Sequence, residues 1–320
     1  MRVLCWHVHG SYMTSLVQGP HTYLIPVLPG RGPDGRGRAQ TWDWPESAVE
    51  IPPDRLLDED IDVALLQRPH EPDLVEEWTG RRPGRDLPAV YLEHNTPRGD
   101  VSGWRHPLAD RDDIPLVHVT AFNAAMWDSG RAPVHVIEHG IPDPGERYTG
   151  ERESLAVCIN EPIRRWRVAG TDIAARIART TPIEVYGMGL DGLAERFPAS
   201  AVLAGAHENL SQARLHEQLP RHRAYVHPYR WTSLGLALVE AMTLGMPVLA
   251  LDATAAAACV PAEAGVVTAD VEALAAAARR LIAAADEARA MGRAAREYAL
   301  ARFGLERFLA DWDRLLKEVS

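Results

Sequence analysis

Short runs of Val, Ile and Leu, each bounded by Gly, Pro or Asp, alternate along the whole chain with longer stretches of helical periodicity. A strand that is apolar on both faces must be covered on both, which is the condition of a parallel sheet between layers of helix. Runs at 2–8, 61–66, 88–92, 115–119 and 134–137 make one set. Runs at 154–159, 182–186, 200–204, 224–227, 247–251 and 265–267 make a second. The intervening periodicity predicts helices over 18–27, 71–79, 120–128, 169–179, 209–219, 234–244, 270–285 and 286–302. Each half therefore reads as an open, doubly wound α/β sheet. The segment Gly140-Ile141-Pro142-Asp143-Pro144-Gly145 interrupts both periodicities and reads as the linker.

Composition removes several function classes. At 320 residues the chain is long enough for two domains. Its formal charge of −10 is the wrong sign for a nucleic-acid backbone as main partner. No apolar run approaches the ~20 residues of a membrane span. The opening Arg2-Val3-Leu4-Cys5-Trp6 reads as a buried strand and not as a secretory leader. Cys5, Cys158 and Cys259 are too scattered for a disulfide framework or a zinc site, so a reducing cytoplasm is expected. Lys317 is the only lysine, an arginine bias that a high-GC bacterial genome would write. Arginine is also the better bidentate partner for phosphate.

The strongest local signal runs from Ala224 to Leu251. Ala224–His227 reads as a strand, His227–Thr232 as a loop, and Thr232 or Ser233 as the cap of a helix reaching about Leu244. Gly245 ends that helix and Pro247 introduces the next strand. The expectation is that the amides of Ser233, Leu234 and Gly235 face a diphosphate, with Gly235 allowing close approach. Glu240 follows five residues on, about 7.5 Å along a helix axis. That offset suits a carboxylate taking two hydrogen bonds from a ribose diol. The same residues would also serve a plain strand–helix unit carrying a surface glutamate.

The run Leu234-Gly235-Leu236-Ala237-Leu238-Val239-Glu240-Ala241-Met242-Thr243-Leu244-Gly245-Met246-Pro247-Val248 resembles the C-terminal signature of the retaining family-4 (group 1) glycosyltransferases of the GT-B fold. Val136-Ile137-Glu138-His139-Gly140-Ile141, Val117–Asn123 and Tyr186-Gly187-Met188-Gly189 resemble further segments of that family, in order. The resemblance implies two Rossmann-like domains facing across a cleft. The first would span 1–145, on the acceptor side, with a last helix at about 304–320 packing back onto it. The second, 146–303, would bind the nucleotide sugar. In the family the signature carries a second glutamate eight positions before Glu240, where this chain has Thr232. That position is held to touch the donor sugar. The family also places basic residues in the loop after the first strand of the second domain. Here Asn160–Arg167 offers Arg164, Arg165 and Arg167, with Arg165 favoured and Arg164 or Arg167 as its neighbour. Tyr186 and Gly187 would lie under the base, with His207, Glu208 and Asn209 at its border.

In the first half, Gly10 and Gly19 are the small residues where acceptor and phosphate would come close, with Gln18–His21 opening a helix. His94, just past the strand 88–92, resembles the family's histidine near the reaction centre, where it would position the sugar. Trp104, in the polar loop 95–113, is the candidate surface for an acceptor ring. Residues 1–145 hold 13 arginines against 22 acidic residues, net −9. That charge favours a soluble, amino-bearing or saccharide acceptor over a lipid at an anionic membrane. The resemblance implies transfer from a nucleoside diphosphate sugar with retention and without a metal ion or other cofactor. Two alternatives stay open. A catalytically impaired relative could act as a nucleotide- or sugar-binding subunit, given Thr232. A GT-B sugar epimerase or phosphorylase would keep the enzyme but change its class, and a pyridoxal-dependent phosphorylase is nearly excluded, because its Schiff base needs a lysine and only Lys317, near the C-terminus, exists.

Overall fold

A computed structural model describes residues 1–320. The chain divides into two compact units, Met1–Pro142 together with Leu305–Ser320, and Asp143–Gly304.

The first unit runs β1 (Arg2–Cys5), α1 (Gly10–Leu16), β2 (Thr22–Pro26), β3 (Ala48–Ile51), β4 (Val63–Leu66), α2 (Glu71–Thr79), β5 (Ala89–Glu93), β6 (Leu116–His118), α3 (Ala121–Met126) and β7 (Val134–Val136). Its seven strands are all parallel, in the order β3-β2-β1-β4-β5-β6-β7. Strand order reverses between β1 and β4, so the loops after these two strands diverge and leave a crevice at their carboxyl ends. Leu4, Trp6, Ala64, Leu66, Ala89, Tyr91 and Leu116 form the centre of one buried face.

The second unit runs β8 (Arg152–Cys158), α4 (Thr171–Ile177), β9 (Ile183–Gly187), α5 (Leu193–Arg196), β10 (Leu203–Glu208), α6 (Gln212–Gln218), β11 (His222–His227), α7 (Leu236–Thr243), β12 (Val248–Leu251), α8 (Ala256–Cys259), β13 (Gly265–Thr268), α9 (Val271–Ala283) and α10 (Ala285–Phe303). Its six parallel strands lie in the order β10-β9-β8-β11-β12-β13, with the reversal between β8 and β11. Leu155, Val157, Ile183, Val185, Ala224, Val226 and Leu249 meet the apolar faces of α4 and α9. Gly187, at the end of β9, has no room for a side chain, because a Cβ there would overlap the carbonyl oxygen of Ile159.

The last helix, α11 (Leu305–Val319), belongs to the first unit. Phe308, Trp312, Leu315 and Leu316 recur at helical spacing and are buried. Trp312 Nε1 donates to the Tyr12 hydroxyl at 2.9 Å. Arg307 donates to the carbonyls of Glu138 and His139 at 3.0 and 2.7 Å.

Two expectations for the first unit fail. Residues 18–27 are not a helix. Residues Thr22–Pro26 form β2, next to β1 in the sheet, and the helix lies earlier, at Gly10–Leu16. Gln18–His21 is therefore the turn leaving α1, and Gly19 lies at the amino end of β2, away from the carboxyl ends of the strands. Its amide donates to Leu16 O at 3.0 Å. Tyr23, Leu24 and Ile25 are buried in the sheet, and that burial decides the state of a short apolar run that periodicity leaves ambiguous. The edge strand β3 is likewise absent from the expected set.

Candidate active site

In the second unit the crevice rule points to the loops after β8 and β11. The first, residues 159–170, carries three arginines in different circumstances. Arg164 is exposed and paired with Glu161 at 2.5 Å. Arg167 is paired with Asp172 at 2.5 Å. Arg230, from the loop after β11, holds the same Asp172 through two bonds of 2.7 and 2.8 Å and so ties the two loops together. Arg165 alone of the loop's three has no carboxylate partner. Its guanidinium lies 5.7 Å from the ring centre of Tyr229, close enough for a cation–π attraction. Tyr229 is itself fixed: its hydroxyl donates to Cys158 O at 3.0 Å, and its other neighbour is His227, with ring centres 4.9 Å apart. The stack delivers one uncommitted cation to the switch point.

Helix α7 starts later than the sequence suggests. Gly235 is its N-cap, without a side-chain cap bond, so neither Thr232 nor Ser233 caps it. Leu238 N already donates to Gly235 O at 3.0 Å. The amides left without intrahelical acceptors are thus those of Leu236 and Ala237, not Ser233 and Leu234. The cause is local: a Cβ at position 235 would press on the buried His227 ring at 2.8 Å, so the glycine lets the chain cross that ring before coiling. Ser233 and Leu234 are buried, and Thr232 is half-buried. Burial pushes the His227 imidazole down to about 4, so it is neutral at pH 7.

Glu240 sits in the second turn of α7, only 6% exposed. Gln212 Nε2, on α6, donates to its Oε1 at 3.1 Å, and His216 Nε2 stands 4.0 Å from its Oε2. Burial raises the Glu240 carboxyl, and the Gln212 bond only partly opposes this. His216 is held down to about 4 by burial, so it supplies no compensating charge. The result is a buried acid with one oxygen bonded and the other unclaimed, a costly arrangement unless a ligand donor completes it.

Tyr186 and Gly187 are divided between two tasks. The Tyr186 ring is buried, stacked on His207 at 4.4 Å, and its hydroxyl bonds His222 Nε2 at 2.8 Å. Its side chain serves the sheet interior. Gly187 and the next residues form a loop pinned from both sides. Asn160 Oδ1 accepts from Met188 N at 3.0 Å, and Glu208 accepts from the amides of Gly189 and Leu190, both at 2.9 Å. Glu161, Asn209 and Thr254 all adopt positive φ, of 52°, 47° and 58°. Each follows the carboxyl end of a strand, where backbone strain gathers at binding edges.

In the first unit the carboxyl ends gather histidines. The His94 ring lies 4.1 Å from His9 and 4.6 Å from Tyr12, which meets it edge-on. Tyr12 also contacts His139 at 5.6 Å and Phe308 at 5.3 Å. Burial holds His94 well below the ordinary histidine value, reinforced by His9 and His139. Gly10 opens α1 directly beneath the Trp42 ring, which would collide with any Cβ there. Trp44 Nε1 donates to Thr14 Oγ1 at 2.9 Å, fastening the loop after β2 over α1. Trp104 caps a short turn in the loop after β5, its Nε1 donating to Gly99 O at 3.2 Å. The sequence reading missed Tyr229, Gln212, His216 and Gln67. Only the four-residue spacing of Gln212 and His216 offered a signal, since it puts both on one face of a helix.

Comparison with known proteins is consistent with this geometry. Residues 172–284, from α4 past α9, match the family described as glycosyl transferases group 1. No curated protein matches the chain in sequence. Among solved structures it is similar to a sucrose-phosphate synthase from Thermosynechococcus elongatus, with TM-score 0.73 and 14% identity over 99% of this chain and 98% of that one. It is also similar to HepE from Anabaena in complex with UDP, with TM-score 0.74 and 12% identity over 99% and 100%. A glycosyltransferase from Rickettsia africae gives TM-score 0.69 and 11% identity over 99% and 98%. The chain therefore has the GT-B fold, and the larger part of its second unit matches glycosyl transferases group 1.

Proposed function

We propose that the chain transfers a sugar from a nucleoside diphosphate sugar to an acceptor hydroxyl, the second unit holding the nucleotide and the first the acceptor. The observation that carries this is Glu240: a buried carboxylate whose second oxygen lacks a hydrogen bond, in the helix that follows the switch-point loop. A ribose diol would supply the missing donors. Arg165 and the amides of Leu236 and Ala237 would meet the diphosphate and stabilise the charge that develops as it leaves. The reading takes no metal or cofactor. It includes retention of configuration, with the departing phosphate accepting the proton of the acceptor hydroxyl. Thr232 would face the donor sugar, and Gly10, Trp42 and Trp104 would border a soluble small-molecule or saccharide acceptor. No helix is long and apolar enough to cross a membrane, and the three cysteines are unpaired. The reading sets the reaction in the cytoplasm.

HepE, a structural neighbour, has been crystallised with UDP and with UDP and glucose, which makes UDP the first ligand to try. Calorimetry with UDP, GDP, ADP, dTDP and CDP should find one that binds. Glu240→Ala should weaken it about 10- to 100-fold, the loss of a hydrogen-bonded charge worth ~1.5–3 kcal/mol. Unchanged affinity in that variant, or binding of none of the five, overturns the reading. The uncharged Thr232 favours one second reading, a relative that binds nucleotide without turnover. Tight binding with no hydrolysis or transfer from any nucleotide sugar would select it.

A further inference from the structure

The side chain of Gln67 makes a connection that the transfer reading has not used. Gln67 follows β4 and is 5% exposed. Its backbone is immobilised, since Glu71 at the start of α2 accepts from Gln67 N at 2.5 Å and from Arg68 N at 3.1 Å. Its Nε2 donates to Trp6 O, just past β1, at 2.7 Å. A carbonyl can only accept, so that bond fixes which end of the amide is which. The other end, Oε1, then faces His94 Nε2 at 3.1 Å. An amide oxygen can only accept as well, so Nε2 of His94 carries the proton. A neutral imidazole has one N–H and one lone pair. The lone pair is therefore on Nδ1, which has no hydrogen-bond partner within the protein.

We infer that Gln67 is a positioning residue that locks His94 in the Nε2–H form and reserves His94 Nδ1 as an acceptor for a substrate hydroxyl. The lock spans the ends of β1, β4 and β5, three neighbours in the sheet at its switch point. The surroundings keep the ring uncharged: it is packed by His9 and Tyr12, with His139 beyond, and no carboxylate bonds it. Glu93, the preceding residue, spends its carboxylate on Asn95 N at 2.6 Å and on His106 at 3.3 Å. A neutral ring showing a lone pair accepts from O–H and repels phosphate or carboxylate oxygen. The group placed against Nδ1 is thus a hydrogen-bond donor, and in the transfer reading a sugar hydroxyl. That it belongs to a substrate rests on the transfer reading; the proton's position does not.

Long-range 1H–15N correlation on protein labelled with 15N-histidine tests the lock directly, with the His94 signals identified by their loss in His94→Asn. A protonated Nε2 and bare Nδ1 are expected. Gln67→Met should redistribute the proton towards Nδ1, while Gln67→Glu, which keeps an acceptor, should retain Nε2–H and raise the pH at which His94 titrates. A proton on Nδ1 in the unaltered chain, or a tautomer indifferent to both substitutions, overturns the inference. For the hydroxyl, turnover of UDP-glucose, GDP-mannose and ADP-glucose is compared in two variants. Asparagine puts an acceptor oxygen near the Nδ1 position and glutamine near Nε2. His94→Asn should keep about tenfold more kcat than His94→Gln, with nucleoside diphosphate affinity unchanged in both, and the opposite order overturns the role. Binding of no nucleotide at all would instead sink the transfer reading and leave the tautomer result standing.

Discussion

The two units share a strand order at their switch points but equip them differently. At the β8/β11 point the side chains are an arginine and an acid: Arg165 held on a tyrosine and Glu240 buried in α7, each short of partners. At the β1/β4 point they are neutral: His9, His94, Tyr12 and Gln67 around a sheet edge whose nearest acid is already engaged. On the proposed reading, one edge of this scaffold meets an anion with a diol and the other meets hydroxyls. The difference lies in which residue types the loops carry, since both sheets are doubly wound and parallel.

Acid should press hardest on this contrast. His118, His216, His222 and His227 are all held down to about 4 by burial. A histidine depressed in the folded state adds stability above its unfolded value of about 6.5, and that stability is lost as pH falls towards the folded value. Each contributes up to ~3 kcal/mol, so thermal unfolding should drop steeply between pH 6.5 and 4. Glu240 has the opposite sign: its raised carboxyl regains its proton over acid pH and offsets part of the loss in the second unit. Glu240→Gln should therefore make the acid limb steeper, which calorimetric scans at stepped pH would register. An unchanged limb would argue that the acid is solvated.

A smaller effect separates the units by packing. Trp312→Ala removes a buried ring and the donor to Tyr12, and should cost about 3–5 kcal/mol. Hydrogen exchange should show the loss in the first unit while protection of β8–β13 stays as it was. Uniform loss would contradict the division at Leu305. Smaller still, Arg165→Ala should weaken nucleoside diphosphate binding about tenfold or more, the worth of a charge-assisted hydrogen bond at ~1.5–3 kcal/mol. Arg164→Ala, already paired with Glu161 and exposed, should stay within about twofold of the parent. Equal losses in the two would show that the loop acts as a diffuse basic patch.

Legibility in the sequence followed how local the determining interaction is. The long helices of the second unit, α9 and α10, were readable from their periodicity, as was α2 of the first unit at residues 71–79, whereas the four-residue helices α5 and α8 gave no periodic signal. The start of the first unit was not readable, because α1 is a seven-residue helix with Gly, Ser and Thr, which favour turns, and Thr22–Pro26 is short and apolar. Pro20 looked like the first turn of a helix although it precedes a strand. Helix α7 was placed early because the cap rule favours Thr and Ser, whereas the buried His227 ring decides where coiling begins. The loop arginines were visible; which of them lacked a partner depended on Glu161 and Asp172 folding onto the others. Gln67 was invisible, since it acts on residues 61 and 27 positions away.

The placement of α11 also orders events during synthesis. The second unit has all its layers once Gly304 has left the ribosome, but the first, though translated earlier, waits for the helix ending at Val319. Until then Tyr12 and the apolar surface beside it stand uncovered, a sticky patch on a nascent chain. The second half is thus built from one continuous segment, whereas the histidine edge is completed only by a helix that follows that whole segment in sequence.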